Sequence, residues 1–226
     1  MLGRPNADDA GNGSTGGNEF GAEEMAVDPA GRFAYVANLV SNAADLVTIS
    51  IYTIDSSTGS LSPTNPTTIP TGYFPQGIAI DPPGKFVYTA NSDDNTVSMF
   101  TINPATGVLT PTTPPIVATG WSPLSVVVDP SSKFAYVANQ DDDTVSMYAI
   151  NSSTGVLPPT TPATVPTAFS PFGVTVDPTG KFAYVPNAYH LRNTLSQYTI
   201  DATTGVLTPN TTPSTVTTGN KPPGWR

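Results

Sequence analysis

The fold of this chain is decided by a stretch of thirteen residues that reads Val127-Val-Asp-Pro-Ser-Ser-Lys-Phe-Ala-Tyr-Val-Ala-Asn139. The same pattern occurs three more times, as Ala26–Asn38, Ala79–Asn91 and Thr175–Asn187. The aspartates of the four Asp-Pro pairs stand at positions 28, 81, 129 and 177, so the spacings are 53, 48 and 48 residues. A repeat of about fifty residues lies in the range of β-propeller blades.

A second motif follows each copy and ends in Thr-Gly, at Gly59, Gly107, Gly155 and Gly205. The two motifs together predict four strands per unit. Strand A is short and apolar, an Asp-Pro turn follows, strand B reads Phe-x-Tyr-x-Ala-Asn, and the Thr-Gly turn joins strands C and D. Strand B is apolar on both faces, as in a sheet covered on both sides. We expect strand D, for example Val108–Thr110, to be the shortest strand and the outermost one.

The sequence therefore predicts an all-β fold, namely a β-propeller of four-stranded antiparallel blades with four repeats. An open β-solenoid is the alternative architecture. The repeats occupy residues 22–226, as units of about 22–75, 76–123, 124–171 and 172–226. Residues 1–21 are rich in Gly, Asn and Asp, and this composition predicts a flexible N-terminal segment.

The composition excludes several classes of protein. The 226 residues include 8 Lys and Arg against 17 Asp and Glu, a formal net charge of -9, and no Cys. So few basic residues argue against nucleic-acid binding, which depends on cations at the phosphates. Disulfides and thiolate metal sites are excluded by the missing Cys. The chain has no apolar run of about 18 residues, so we expect no transmembrane helix.

The Tyr-Val-Ala-Asn segment, within Asp-Pro-x-Gly-Lys-Phe-x-Tyr-Val-Ala-Asn, resembles the YVTN-type propeller repeat. The chain is similar in this motif to the seven-bladed propellers of the bacterial lactonase family, whose members include the 6-phosphogluconolactonase and carboxymuconate cyclase types. The resemblance covers about residues 22–219 and implies a propeller fold, with lactone hydrolysis as a possible activity. Its residues recur in every unit, so it points to no single active site.

Seven blades would need roughly 330 to 350 residues at this period, whereas four units are present. Three arrangements stay open: the chain is a piece of a longer protein, it pairs with a second copy into a ring of about eight blades, or it closes alone as four blades. An unclosed arc would expose strand edges and blade faces, which favours self-association.

One rim of the predicted propeller varies between units, and variable loops on a constant scaffold are where binding residues occur. Its D–A and B–C loops carry aromatic and basic residues, which we expect to surround the central channel as a platform for a sugar or another planar ligand. Packing between blades is the alternative role of the aromatic rings. The predicted rim residues are Tyr73, Phe74, Trp121, Phe169, Tyr189 and Lys221.

Acidic residues cluster in three B–C loops, as Asp93-Asp94-Asn95, Asp141-Asp142-Asp143 and Asn42 to Asp45. Such oxygens could bind Ca²⁺, but the spacing of an EF-hand is missing, and Asp and Asn are ordinary turn residues. We therefore expect solvated turns, no metal site and no cofactor. The Asp-Pro aspartates are interpreted as turn caps on the opposite rim.

The fourth unit contains an insertion, Ala188–Asn193, with the only histidine, His190, and with Arg192. A histidine can serve as a general base, and an arginine can bind a carboxylate or phosphate. These two are therefore the candidate catalytic residues if the chain is an enzyme. The chain has no Glu after Glu24, and no Ser-His-Asp order or phosphate loop is recognisable.

These patterns favour a binding or scaffold protein of the cell exterior, extracellular or on the cell surface, over a cytoplasmic one. The ligand would be a carbohydrate, a small molecule or a protein. The alternative function is lactone hydrolysis or a related ring opening, which rests on the family resemblance. Enzyme activity stays open, with the non-catalytic interpretation preferred.

Overall fold

The computed structural model describes residues 21–38, 47–189, 192–210 and 214–218, with only the backbone of Tyr189 and Arg192. These residues form seventeen strands in four antiparallel sheets, one sheet per repeat. Within those ranges no helix could cross a membrane. The predicted flexible segment 1–21 lies outside the described residues, except for Gly21.

The strands of the four blades follow one another in chain order. The first blade contains β1 (Ala22–Val27), β2 (Phe33–Asn38), β3 (Thr48–Ile54) and β4 (Leu61–Pro70). The second contains β5 (Pro75–Ile80), β6 (Phe86–Asn91), β7 (Thr96–Ile102) and β8 (Leu109–Ala118). The third contains β9 (Pro123–Val128), β10 (Phe134–Asn139), β11 (Thr144–Ala149) and β12 (Pro159–Pro166). The fourth contains β13 (Thr175–Val176), β14 (Phe182–Tyr189), β15 (Arg192–Ile200), β16 (Leu207–Pro209) and β17 (Thr215–Thr217).

Each sheet runs from strand A at one edge to strand D at the other, as in the order β5-β6-β7-β8. The first strands of neighbouring blades contact each other, β1 with β5 and β5 with β9, so strand A is innermost and strand D outermost. The predicted position of strand D is therefore confirmed. Its predicted length is wrong for the first three blades, where β4 and β8 have ten residues and β12 has eight. An edge strand tolerates proline because one side needs no ladder hydrogen bonds, so these Pro-rich stretches form strands.

Each Asp-Pro turn is capped by its own aspartate, as predicted. In the second blade, Asp81 Oδ1 accepts hydrogen bonds from the backbone N–H groups of Lys85 at 2.6 Å and Phe86 at 2.8 Å. Burial raises the pKa of Asp81 although these bonds oppose the shift. In the third blade Ser132 stands where the other turns have glycine, and it adopts the same left-handed backbone with φ of 56°. All four turns therefore have one geometry.

The hydrophobic core consists of three clusters, and each cluster lies between two neighbouring blades. Between the first and second blades, Phe33 and Tyr35 of β2 pack with Phe100 of β7 and Leu109 of β8. The other two clusters repeat this arrangement one and two blades further along the chain. A blade is thus stabilised mainly through its neighbours, as in other repeat folds.

One polar contact recurs at every junction between blades, and we refer to it as the Tyr–Gly contact. The hydroxyl of the strand-B tyrosine donates to the carbonyl of the glycine in the next blade's Thr-Gly turn. The pairs are Tyr35 with Gly107 at 2.9 Å, Tyr88 with Gly155 at 3.0 Å, and Tyr136 with Gly205 at 2.9 Å.

Beside each Tyr–Gly contact, the phenylalanine two residues before the tyrosine packs on the same glycine. A Cβ atom on Gly155 would lie 2.4 Å from the ring of Phe86, far inside contact distance, and the φ of Gly155 is 75°. Only glycine satisfies both conditions. The Thr-Gly turn therefore has a second role besides turning the chain, which is to let the next blade approach.

Candidate functional site

Three aromatic side chains stand at equivalent positions on the rim formed by the D–A and B–C loops. They are Tyr73, Trp121 and Phe169, spaced 48 residues apart. Their exposed fractions are 67%, 66% and 65%. Rings that are two-thirds exposed are not held between blades, so the alternative of inter-blade packing does not describe them.

The backbone of the first two aromatic loops is fixed by the acidic loop of the blade that follows. The N–H of Tyr73 donates to Asp94 Oδ2 at 2.7 Å, and the N–H of Trp121 donates to Asp142 Oδ2 at 2.7 Å. The residue after each ring adopts a left-handed backbone, with φ of 57° at Phe74. This turn directs the preceding ring away from the blades.

A second anchor ties the second and third aromatic loops to the blade that precedes each of them. The N–H of Ser122 donates to Asn95 Oδ1 at 2.9 Å, and the N–H of Ser170 donates to Asp143 Oδ1 at 2.7 Å. Sequence reasoning missed these serines. The sequence contained a signal for them, because an Asn or Asp acceptor precedes each serine by 27 residues.

Beneath the rim lies the asparagine that ends strand B. Asn139 is fully buried, and its side-chain N–H groups donate to Thr144 Oγ1 at 3.0 Å and Ser146 Oγ at 2.9 Å. A Cβ atom on Gly120 would lie 2.8 Å from Asn139 Cγ and 2.5 Å from Asp142 Oδ2. The loop glycine therefore lets the aromatic segment rest directly on the blade.

The described side chains of this rim are acidic and aromatic. Asp93, Asp94, Asp141 and Asp142 are exposed, and Asp143 is half-buried. The basic side chains in the described ranges all belong to the Asp-Pro turns of the opposite rim: Arg32, Lys85, Lys133 and Lys181.

Three of the rim carboxylates, those of Asp94, Asp142 and Asp143, accept hydrogen bonds from the loop backbone, and Asp141 accepts one from the Ser122 hydroxyl. Within the described ranges, no three carboxylate or histidine side chains come close enough to hold a metal ion. The loop from Asn42 to Asp45 lies outside the described residues. The sequence-based expectation of no metal site and no cofactor remains a prediction.

The insertion of the fourth unit lengthens the hairpin of β14 and β15. In the other three blades the pairing of strands B and C ends at an Asn–Thr pair equivalent to Asn187 and Thr194. In the fourth blade it continues, and Ala188 pairs with Asn193 and Tyr189 pairs with Arg192. The side chains of Tyr189 and Arg192 are not described, and the predicted residues His190 and Lys221 lie outside the described residues. Their predicted roles stay predictions.

A further exposed ring, Phe172, was not singled out by the sequence. It lies between the D–A loop and β13 and is 61% exposed, whereas Gln76 and Leu124 at the equivalent positions are partly buried. The sequence signal for Phe172 was an aromatic residue at a position where the second and third units have Gln and Leu.

On the opposite rim, an open pocket of about 300 Å³ lies between the third and fourth blades. The Asp129 carboxylate in its wall already accepts hydrogen bonds from the backbone N–H groups of Lys133 and Phe134 in its own turn.

Solved structures share this fold. A candidate 6-phosphogluconolactonase from Bacteroides fragilis has 19% sequence identity and a TM-score of 0.72, over 88% of this chain and 55% of that one. The periplasmic gluconolactonase of Pseudomonas aeruginosa has 18% identity and a TM-score of 0.61, over 81% and 54%. A functionally unknown protein from Desulfotomaculum acetoxidans has 22% identity and a TM-score of 0.67, over 83% and 54%. The chain thus spans about half the length of these structures.

Among curated proteins, none is similar enough to match this sequence. The protein family described as Lactonase, 7-bladed beta-propeller matches residues 8–120 and 116–170. These two segments include the first three blades and extend into the loop that carries Phe169. Together with the four blades and the shared fold, they show that the chain belongs to the lactonase family of seven-bladed β-propellers.

Proposed function

We propose that this chain is a carbohydrate-binding propeller of the cell exterior, with a neutral sugar as the ligand of its aromatic rim. The proposal rests on one observation: Tyr73, Trp121 and Phe169 present exposed rings at the same position of successive loops, and hydrogen bonds fix the backbone of those loops. The name of the periplasmic neighbour supports a location outside the cytoplasm.

Aromatic rings and carboxylates together suit a sugar. The C–H face of a pyranose stacks on a flat apolar ring, and the hydroxyl groups at its edge donate to oxygen acceptors. Asp93 and Asp141 are exposed in the acidic loops that hold the aromatic loops, and they provide such acceptors, although Asp141 Oδ2 already accepts from Ser122 Oγ. The loops of Tyr73 and Trp121 are already ordered by hydrogen bonds to the acidic loops, so the binding of a sugar there costs little conformational entropy.

The charge of the described part of the rim favours neutral sugars over phosphorylated ones. The described rim side chains include carboxylates and no Lys or Arg, while Arg32, Lys85, Lys133 and Lys181 lie on the opposite rim. Like charges at a binding surface oppose each other, so an anionic sugar would be repelled.

Titration calorimetry of the full chain against a panel of neutral oligosaccharides and their phosphorylated counterparts tests this proposal. We expect binding of a neutral oligosaccharide, at least about tenfold weaker in Trp121→Ala, and weaker binding of the phosphorylated forms. Ile116→Ala is the matched control, since Ile116 is also exposed, at 50%, but lies on the outer strand β8. Equal affinity in Trp121→Ala and Ile116→Ala would contradict the proposal.

Lactone hydrolysis is the second candidate function, favoured by the family match and by the names of two structural neighbours. In this reaction water attacks the carbonyl carbon, the ring C–O bond breaks, and the ring oxygen takes up a proton to give the hydroxy acid. His190 would accept the proton of the attacking water, and Arg192 would bind the developing oxyanion.

Hydrolysis of glucono-1,5-lactone above its spontaneous rate separates the two functions. Turnover that is lost in His190→Ala and Arg192→Ala would support the enzyme with this site. Binding of sugars without turnover of lactones would support the binding module. Turnover that persists in both variants would exclude these two residues as the catalytic pair.

A further inference from the structure

The Thr-Gly turn of the third blade carries a motif that the other three turns lack. It reads Asn151-Ser-Ser-Thr-Gly155, and Asn-x-Ser/Thr, with any residue but Pro at x, is the acceptor motif of N-linked glycans. The first and fourth blades have Asp55 and Asp201 in place of the asparagine. The second blade has Asn103, but Pro104 follows it. Of the four turns, that of the third blade therefore offers an acceptor amide.

This motif is open to solvent, and the blades on either side of it are both present. Residues 151–154 are exposed, and the chain is buried again at Gly155. The second blade packs on this turn through the bond from Tyr88 to Gly155, and the fourth blade packs on the third through the bond from Tyr136 to Gly205. Each repeat contacts its immediate neighbours, so further blades beyond the first or the fourth would leave the surroundings of this turn unchanged.

The nitrogen of the Asn151 side chain takes no part in holding the turn. Its Oδ1 atom accepts hydrogen bonds from the N–H of Ser153 at 3.1 Å, from the Ser153 hydroxyl at 2.7 Å and from the N–H of Thr154 at 3.2 Å. Its Nδ2 atom has no hydrogen-bond partner among the described residues. A sugar attached to Nδ2 would therefore leave every hydrogen bond of the turn in place.

The turn itself does not require an amide at this position. In the first blade the carboxylate of Asp55 accepts the same three kinds of bond, including that of the Ser57 hydroxyl at 2.6 Å. An oxygen acceptor is thus what the turn needs, and aspartate supplies it as well as asparagine does. With an amide, the Ser153 hydroxyl has a further effect: by donating to Oδ1 it polarises the group and makes the Nδ2–H more acidic.

We propose that Asn151 is an acceptor of an N-linked glycan in the exported protein. An oligosaccharyltransferase would supply the sugar from a polyisoprenyl diphosphate donor. Asn151 Nδ2 attacks the anomeric carbon, the N–C bond forms as the bond from that carbon to the diphosphate oxygen breaks, and the amide loses one proton. The lipid diphosphate leaves with the electron pair of the broken bond. The inference rests on the proposed location outside the cytoplasm, but not on the proposed sugar-binding rim.

A glycan at Asn151 would lie on the rim opposite the aromatic rings. The Thr-Gly turns share a rim with the Asp-Pro turns, because Arg32 of one Asp-Pro turn donates to the carbonyl of Pro104 in the next blade's Thr-Gly turn at 2.9 Å. The rings of Tyr73 and Trp121 stand on the other rim. The modification would therefore leave the proposed ligand site open, so the two proposals are compatible and can be tested separately.

Peptide mass spectrometry of the protein isolated from its own cells tests the proposal directly. We expect the peptide that contains Asn151 to carry the added mass of a glycan. The motif also occurs at Asn12 and Asn210, so the three peptides are mapped separately. An Asn151 peptide found only in bare form would overturn the proposal.

A reconstituted reaction tests the site apart from the location. The purified 226-residue chain is incubated with an oligosaccharyltransferase and a polyisoprenyl diphosphate-linked oligosaccharide. We expect glycan at Asn151, and in Asn151→Gln and Ser153→Ala the occupancy of this peptide should fall at least about tenfold. Asn103 should stay bare because Pro104 follows it, and Asp201→Asn should gain a second glycan because Thr203 completes the motif.

The outcomes separate this proposal from the proposed function. Circular dichroism checks that each variant folds. A purified wild-type chain that stays bare at Asn151 would overturn the site itself. Acceptance in the reconstituted reaction, with bare protein in the cells, would overturn the proposal through its premise of export. Sugar binding by the aromatic rim is measured by calorimetry on the unmodified chain, so neither result decides it.

Discussion

The hydroxyl of Tyr35 lies 2.9 Å from the carbonyl oxygen of Gly107, although 72 residues separate them in the sequence. The bond joins strand β2 of the first blade to the turn before β8 of the second. Both residues are buried, so the carbonyl would lose this donor without replacement if the hydroxyl were removed. The two repeated motifs are thus parts of one structural device, which links each blade to the next.

The first prediction concerns this bond in the second blade. Tyr88→Phe removes the hydroxyl that donates to Gly155 at 3.0 Å and should lower the free energy of unfolding by about 1 to 3 kcal/mol, because a buried acceptor loses its donor. Urea unfolding measures the change. Tyr73→Phe, at an exposed tyrosine, is the control and should stay within about 0.5 kcal/mol of the wild type. Equal effects of the two substitutions would refute a structural role for the contact.

A second prediction isolates the close approach at the Thr-Gly turn. Gly155→Ala and Gly84→Ala introduce the same backbone strain, since their φ angles are 75° and 70°. The Cβ on residue 155 would also lie 2.4 Å from the Phe86 ring, while at residue 84 the nearest atom is 3.4 Å away. Gly155→Ala should therefore destabilise by about 1 to 3 kcal/mol more than Gly84→Ala. Thermal or urea unfolding gives the difference, and a difference near zero would speak against the packing described here.

Much of this architecture could be predicted from the sequence because the deciding signals are local. The Asp-Pro turns, the apolar strand B and the Thr-Gly turns lie within fifty residues of one another and recur four times. The lengths of the outer strands could not be predicted, because proline signals a loop unless the strand is known to be an edge strand. The Tyr–Gly contacts were also hidden, since a pattern within one blade does not reveal which turn the next blade presents.

The site was predictable in part for the same reason. The variable loops pointed to Tyr73, Trp121 and Phe169 as rim residues, but their exposure depends on backbone hydrogen bonds to Asp94 and Asp142 in another loop. Those acids suggested metal ligands or solvated turns when taken alone. Only the folded arrangement shows that they hold the aromatic loops.

A third prediction tests this role of the acids without a ligand. Asp94 accepts the backbone N–H of Tyr73 at 2.7 Å, and its exposed neighbour Asp93 makes no such bond to that loop. In Asp94→Ala the amide of Tyr73 should exchange with solvent at least about tenfold faster, because it loses its acceptor. Hydrogen exchange followed by NMR measures the rate, with Asp93→Ala as the matched control. Unchanged exchange in Asp94→Ala would show that the loop is held in another way.

A fourth prediction concerns acid titration in the fourth blade. Hydrogen bonds from Thr179 and from the backbone N–H groups of Phe182 and Lys181 lower the pKa of Asp177 to about 2. A folded-state pKa below the usual value contributes stability above about pH 4, and this contribution is lost as the pH falls toward 2. NMR titration of the carboxyl should show the low midpoint. Thr179→Val should raise it, and an ordinary midpoint in the wild type would contradict the bonding.

The last prediction comes from a difference between the second and third blades. Asn91 Oδ1 accepts from Thr71 Oγ1 at 3.3 Å and from Thr89 Oγ1 at 3.4 Å. In the third blade valine stands at the position of Thr89, and the buried Oδ1 of Asn139 has no hydrogen-bond partner among the described residues. Thr89→Val removes one of the two donors to Asn91 Oδ1 and the 2.7 Å neighbour of the Thr71 hydroxyl, while the Thr71 bond to Asn91 stays. The substitution should therefore destabilise by about 0.5 to 1.5 kcal/mol.

The reverse substitution should behave differently from an ordinary valine-to-threonine change in a core. Val137→Thr gives Asn139 Oδ1 a donor, so the cost of burying the hydroxyl should be offset and the unfolding free energy should change by less than about 1 kcal/mol. Val87→Thr is the control, because Val87, like Val137, is fully buried in an apolar cluster on a strand B, but none of the unpaired buried side-chain oxygens among the described residues lies in its blade. That control should lose about 1 to 3 kcal/mol. Equal losses in the two variants would mean that the orphan oxygen of Asn139 does not accept the new hydroxyl.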